Sequence, residues 1–346
     1  MKSKAMMAAL ALVILAAVFG GAVYRMAFAP NTPAFEGKRS VWIPRGAGFE
    51  AAVDSLEARG VLGSRASFVW MAKLTGWGDQ IKAGHYAFEA GATNRDLLET
   101  LRKGLQTPVR LTIPPGTRPE VVAAVVAREM AFSPEDFLAA LRDSSLAADL
   151  GTDTTHLFGY MMPETYFFYW LTDAPTVVRK VKQAFDTFYR AEVRAAPDPP
   201  DLSPDDVVTL ASIVEWETHD AAEKPRVAGV YLNRLRAGWA LQADPTVQYA
   251  ILAAEGQKRR LLFRDYELEH PYNTYRYRGL PPGPITNPAP STVRAVLHAE
   301  NHRYFYFVAN GDGTHTFSRT LREHNRAADA YRRLMRERRR AQRQSD

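Results

Sequence analysis

Apolar residues follow three rhythms along this chain. The first is an unbroken run from Ala5 to Tyr24 (AMMAALALVILAAVFGGAVY) that contains no charged residue. As a helix rising about 1.5 Å per residue it spans about 30 Å, the thickness of a bilayer core. Lys2 and Lys4 precede it and Arg25 follows, which predicts a cytoplasmic N-terminus with the rest of the chain on the other side. A cleaved signal peptide is the competing reading. Ala27-Phe28-Ala29 offers a small-x-small site, but Pro30 sits just past the cut and the run exceeds a usual signal core. An uncleaved anchor over residues 1–28 is the expectation.

The second rhythm is short and alternating. After a Pro-rich stretch read as a linker (29–38), Val41-Trp42-Ile43-Pro44-Arg45-Gly46 leads into a helical pattern at Ala51, Val53, Leu56 and Ala58. Leu111-Thr112-Ile113-Pro114-Pro115-Gly116 leads into another at Val121, Val122, Val125 and Val126. Each reads as strand, Pro-Gly turn and helix, a weak internal repeat. Between them lie a strand at Gly84 to Phe88 and a helix from Arg95 to Lys103 closed by Gly104. Such small α/β units are expected to share one sheet.

The third rhythm is helical and dominates from Ser133 onward. Ser133-Pro134-Glu135-Asp136 starts one helix, Phe158 to Tyr166 reads as an aromatic turn, and Val177 to Val193 as a further helix. The fold class that results is α+β. Ser203-Pro204-Asp205-Asp206 then opens a helix reading VVTLASIVEWETH, with cap, Pro and acidic first turn all in place. On a wheel of about 100° per residue, Val207, Leu210, Ala211 and Val214 form one apolar stripe. Glu217 falls inside that arc, and Glu215 lies about 160° from it, which predicts that the two do not share a pocket. A carboxyl among apolar side chains is desolvated and stays protonated, as a general acid requires.

Composition narrows the chemistry. The chain has 346 residues, 46% hydrophobic and 24% charged, which suits about two globular domains. Cysteine is absent, which excludes disulfides, thiolate metal sites and a cysteine nucleophile. The net charge is +6, and Arg332 to Arg343 carries seven arginines against one glutamate. The tail accounts for the whole excess, so a nucleic-acid partner loses its support. His298 and His302 have helical metal spacing, but Ala299-Glu300-Asn301 lies between them. That is not HExxH, and no metal or cofactor is expected.

Ala211-Ser212-Ile213-Val214-Glu215-Trp216-Glu217-Thr218 resembles the ASIVExET signature of the MltG (YceG-like) endolytic murein transglycosylases, with Trp216 where Lys is more usual. Val227 to Arg236, Leu241-Gln242-Ala243-Asp244-Pro245-Thr246-Val247, Tyr272-Asn273-Thr274-Tyr275, Gly279 to Ile285 with Asn287-Pro288, and Tyr304 to Phe317 match further family segments in order. The resemblance implies a LysM-like α/β subdomain over 39–130, a mixed α+β catalytic domain over 131–331 with a closing β-hairpin, and an Arg-rich tail over 332–346. It implies Glu217 as the catalytic acid. Gln242, Asp244, Thr246, Tyr272, Asn273, Thr274, Tyr275 and Glu215 are the candidates that line substrate, although Glu215 could instead pair with Arg226 or Arg234. The implied activity is cleavage of the MurNAc-β-1,4-GlcNAc bond within peptidoglycan strands, leaving 1,6-anhydroMurNAc ends. The implied setting is the periplasmic face of the inner membrane, with peptidoglycan synthases as partners. The alternatives are a hydrolytic muramidase and a non-catalytic wall-binding scaffold.

Overall fold

The N-terminal apolar run forms helix α1 (Lys2–Phe28) in the computed structural model, which describes residues 2–345. Within it, Ala9–Phe28 is long and apolar enough to cross a membrane. Its large side chains from Leu10 to Tyr24 are exposed, whereas Ala27 is buried. The chain divides into two units. The first comprises Met1–Arg110, Glu129–Ala131 and Phe167–Thr172; the second comprises Leu111–Arg128, Phe132–Tyr166 and Asp173–Asp346.

In the first unit, β1 (Lys38–Ile43) pairs antiparallel with β2 (Gly84–Glu89), Val41 opposite Tyr86. Helices α2 (Phe49–Ala58), α3 (Arg65–Thr75) and α4 (Asn94–Lys103) cover this ribbon. Val41, Ile43, Leu56, Phe68, Tyr86, Leu97 and Leu101 close the core. Gly104 ends α4 in the left-handed region at φ 68°, a conformation glycine adopts without strain. The Pro-rich stretch is no free linker at its start. The Asn31 side-chain amide donates to the Asn94 side chain at 2.6 Å, Asn31 and Thr32 are buried, and both backbone N–H groups bond the Ala92 carbonyl.

The strands do not share one sheet as the repeat suggested. Among the described residues they form three two-stranded sheets. β3 (Val109–Thr112) finds its partner in β4 (Thr165–Phe168). That strand emerges from the aromatic segment read as a turn. Aromatic residues suit strands as well as turns, and only the long-range pairing separates the two.

The second unit is mainly helical: α5 (Pro119–Glu129), α6 (Pro134–Leu141), α7 (Ser144–Asp149), α8 (Ala174–Ala195), α9 (Pro204–Glu217), α10 (Lys224–Arg236), α11 (Asp244–Glu255) and α12 (Pro290–Leu297). β5 (Tyr306–Ala309) pairs antiparallel with β6 (His315–Ser318), and α13 (Leu321–Ser345) follows. Helix α9 is its axis. The Ser203 and Asp206 side chains close a capping box, and every residue from Val207 to Val214 is buried. The predicted apolar stripe is therefore a helix enclosed all round. Gly229 of α10 lets the chain pass closely: a Cβ there would lie 2.5 Å from the Glu300 carbonyl oxygen. The arginine tail continues as α13, where the Arg338 guanidinium donates to the Gly311 carbonyl at 2.6 Å. The side chains of residues 339 and 341–346 lie outside the described residues.

Candidate active site

Helix α9 ends at Glu217, where the helix dipole presents its negative pole and disfavours a second negative charge. Burial adds to this and, with the charge of Asp244, pushes the Glu217 pKa up to about 7. Two groups of α10 pull the other way. The Tyr231 hydroxyl donates to Glu217 Oε2 at 3.0 Å, and the Arg234 charge favours the carboxylate. Tyr231 and Arg234 are three apart on one helix face, so one helix supplies both. Neither was singled out from the sequence as a site residue, though both sit in the matched Val227 to Arg236 segment.

Glu217 and Asp244 together border two openings. One is a cleft of 740 Å3 that also involves Trp216, Gln248, Lys258 and Tyr266. The other, of 280 Å3, involves Arg234, Gln242, Tyr275, Tyr306 and His324. The acid thus stands at the junction of two spaces rather than at the bottom of one.

Of the loop candidates, Asp244, Gln242 and Tyr275 reach this junction. The Tyr275 hydroxyl donates to Asp244 Oδ1 at 2.6 Å. Gln242 is exposed and adopts φ 49°, a left-handed conformation that costs a residue with a Cβ roughly 1–3 kcal/mol. Its backbone is pinned there. The Gln242 N–H donates to the Thr274 carbonyl at 3.0 Å, and Arg234 holds the preceding Leu241 carbonyl.

Thr246, Asn273 and Thr274 are buried and bonded to the loop itself, away from any ligand surface. The Thr274 hydroxyl accepts the Ala243 N–H at 3.0 Å and lies 2.9 Å from the Thr246 hydroxyl. Asn273 donates to the Tyr266 and Leu268 carbonyls and accepts the Tyr275 N–H. These three build the frame that carries Asp244 and Tyr275. Tyr272 lies away from Glu217: its ring centre is 4.5 Å from that of Tyr249, and it borders a further cavity of 590 Å3.

Glu215 pairs with neither expected arginine. Its Oε2 accepts from the Lys224 ammonium at 3.1 Å, from the Ala289 N–H at 3.2 Å and from the Thr292 hydroxyl. Arg226 is taken by Glu300, and Arg234 by backbone carbonyls. Glu215 nonetheless borders the larger cleft together with Glu217, contrary to the wheel. The cleft wraps around the helix end, and there angular separation no longer isolates two side chains. His298 and His302 also part company. His298 lies 3.3 Å from Glu192, and His302 is 2.9 Å from the Arg226 carbonyl.

Comparison with known proteins agrees with this architecture. The YceG-like family matches residues 41–330. The chain is 31% identical over 308 residues to the endolytic murein transglycosylase of Bacillus subtilis strain 168, covering 84% of this chain and 83% of that protein. It is 27% identical over 321 residues to the endolytic murein transglycosylase of Streptococcus pneumoniae R6, spanning 57% of that protein. A crystal structure of a YceG-like protein from Listeria monocytogenes superposes with a TM-score of 0.55 at 29% identity, covering 84% of this chain and 99% of that one. The match extends over most of the chain and includes α9 and the loops around Glu217; the chain belongs to the YceG-like family.

Proposed function

We propose that the protein is an endolytic lytic transglycosylase of peptidoglycan, with Glu217 as its acid and base. The observation that carries this is a carboxyl held protonated up to about pH 7 at the meeting point of two openings. An enzyme that cuts inside a strand needs room for sugars on both sides of its acid. Glu217 gives its proton to the glycosidic oxygen as the bond from MurNAc C1 breaks. The C6 hydroxyl of the same MurNAc then attacks C1, and its proton passes to the Glu217 carboxylate. Proton donor and acceptor are one residue, and the intramolecular nucleophile has a large proximity advantage. Asp244 and the tyrosines that bond it face the positive charge that develops at C1.

Hydrolysis is the second reading, because Asp244 places another carboxylate beside Glu217 and two carboxylates are the usual hydrolytic set. Glu217→Gln and borohydride reduction of the products separate the cases. The transglycosylase reading predicts non-reducible ends from the native enzyme and almost none from the variant. Reducible ends favour the hydrolase, wild-type rates with Glu217→Gln remove Glu217 as the acid, and no cleavage by the native protein leaves only a scaffold role. In this reading α1 is a single-pass anchor, the first unit is a LysM-like wall-binding part, and the enzyme body works in the periplasm beside peptidoglycan synthases. The apolar length of Ala9–Phe28 supports the anchor.

A further inference from the structure

The cleft beside Glu217 does not end at the acid. Its wall at Gly116, Trp216 and Lys258 also borders a recess of 280 Å3. That recess in turn shares Arg118, Leu252 and Gly256 with the cavity of 590 Å3 under Tyr249 and Tyr272. Through these shared residues the three spaces adjoin in sequence within the second unit, a trough-like row with Glu217 at one end.

The trough is basic away from the acid. Lys258 lies with its ammonium 3.5 Å over the centre of the Trp216 ring. The Trp216 indole is itself fixed by donating to the Gly116 carbonyl at 2.9 Å. Arg118 and Arg142 follow along the trough, with Glu120 the one carboxylate bordering that far cavity. Arg118, Lys258 and Arg142 belong to no ion pair among the described residues, whereas neighbouring Arg259 is tied to both Glu255 and Asp265. Burial, with the Arg118 charge adding to it, lowers the Lys258 pKa. Two cations thus line one recess, and neither is ion-paired among the described residues.

Bond cleavage does not explain them. Positive charge develops at C1 in the transition state, so a cation at the reacting carbon would slow the reaction. The cations must serve a part of the substrate lying away from the bond. The sugars of murein are uncharged there, but the short peptides carried by its muramyl residues bear free carboxylates.

Resting on the reading above, we propose that Arg118 and Lys258 bind a carboxylate of the substrate's peptide, so that the enzyme selects glycan whose peptides are anionic. Trp216 supplies the platform that holds Lys258 in place. The selection is a property of the trough and leaves the acid–base step with Glu217.

The test compares two substrates with the full chain in detergent. One is uncrosslinked peptide-bearing glycan; the other is the same glycan with its peptide carboxylates converted to amides. The native protein should favour the anionic substrate by about tenfold in kcat/KM, the scale of two partly solvated charge pairs. Raising salt should shrink that preference. Arg118→Gln with Lys258→Gln should bring the ratio close to one, while Arg118→Lys with Lys258→Arg should retain it. Equal cleavage of both substrates by the native protein overturns the peptide proposal alone. A preference that survives in the double glutamine variant overturns it as well. Cleavage of neither substrate removes the transglycosylase reading and the proposal with it.

Discussion

At the scale of single residues, function turns on how far Glu217 is kept protonated. Its pKa is raised, so the acid form persists up to about pH 7 and activity should fall above it. The neighbours that set this value pull in opposite directions, which gives paired predictions for the alkaline limb of a kcat/KM profile. Tyr231→Phe removes a hydrogen bond that favours the carboxylate and should move the limb up by about half to one pH unit. Asp244→Asn removes a repelling charge and should move it down by a similar amount. Shifts in the same direction for both would contradict this picture.

The same residue couples stability to pH. A carboxyl whose folded pKa lies above its unfolded value contributes full stability below the unfolded pKa and loses it as pH rises. For Glu217 the window runs from 4.5 to about 7. Above that window the ionised, desolvated group costs up to about 3 kcal/mol. Glu217→Gln should therefore raise the melting temperature more at pH 8 than at pH 5, as calorimetry at the two pH values would read. A gain that is equal at both pH values would show that Glu217 is not perturbed in this way.

Gln242 offers a related trade. Glycine relieves the left-handed backbone at this position, so Gln242→Gly should stabilise the fold by up to about 1 kcal/mol while weakening substrate binding. Thermal melts and KM report the two effects separately. A destabilised variant would mean that the loop gains more from the side chain than it loses to strain.

At the scale of elements, α9 is held by its surroundings more than by its own propensity. Glu215 ties it to α10 through Lys224 and to the start of α12 through Ala289 and Thr292. Removing one partner of such a pair strands the other charge inside the protein. Glu215→Ala should thus cost about 3–5 kcal/mol, seen as a lowered denaturation midpoint. A loss below 1 kcal/mol would show that the pair is solvated.

Much of this level was legible in the sequence. The Ser203 cap, the Pro-Gly turns and the Gly104 stop are local signals, and each sits where the structure has an element boundary. Spacing put Glu217 in an apolar arc; the structure does desolvate it, but beside the polar groups of Tyr231, Arg234 and Asp244. What was not legible depends on distant pairing. Nothing local in Thr165 to Phe168 distinguishes a strand from a turn until Val109 to Thr112 lies beside it. Likewise, Asn273 and Thr274 carry the groups a sugar site would use. Only burial reveals that they spend them on the backbone of their own loop. The partner of Glu215 was missed for the same reason, since Lys224 is brought to it by the packing of α10 on α9.

At the scale of the whole molecule, the N-terminal helix has two parts with different surroundings. Its exposed stretch to Tyr24 suits a lipid environment, whereas its end belongs to the first unit. Ala27 is buried, and the Met26 carbonyl accepts the Asn94 amide at 2.9 Å. The central claim concerns a larger question, the fate of the cleaved bond. It is tested most directly by digesting intact glycan strands in heavy-oxygen water and weighing the products. Intramolecular attack predicts new ends that are one water lighter than hydrolytic ends and free of the label, and that disappear with Glu217→Gln. Labelled, reducible ends, or undiminished cleavage by that variant, would contradict the account.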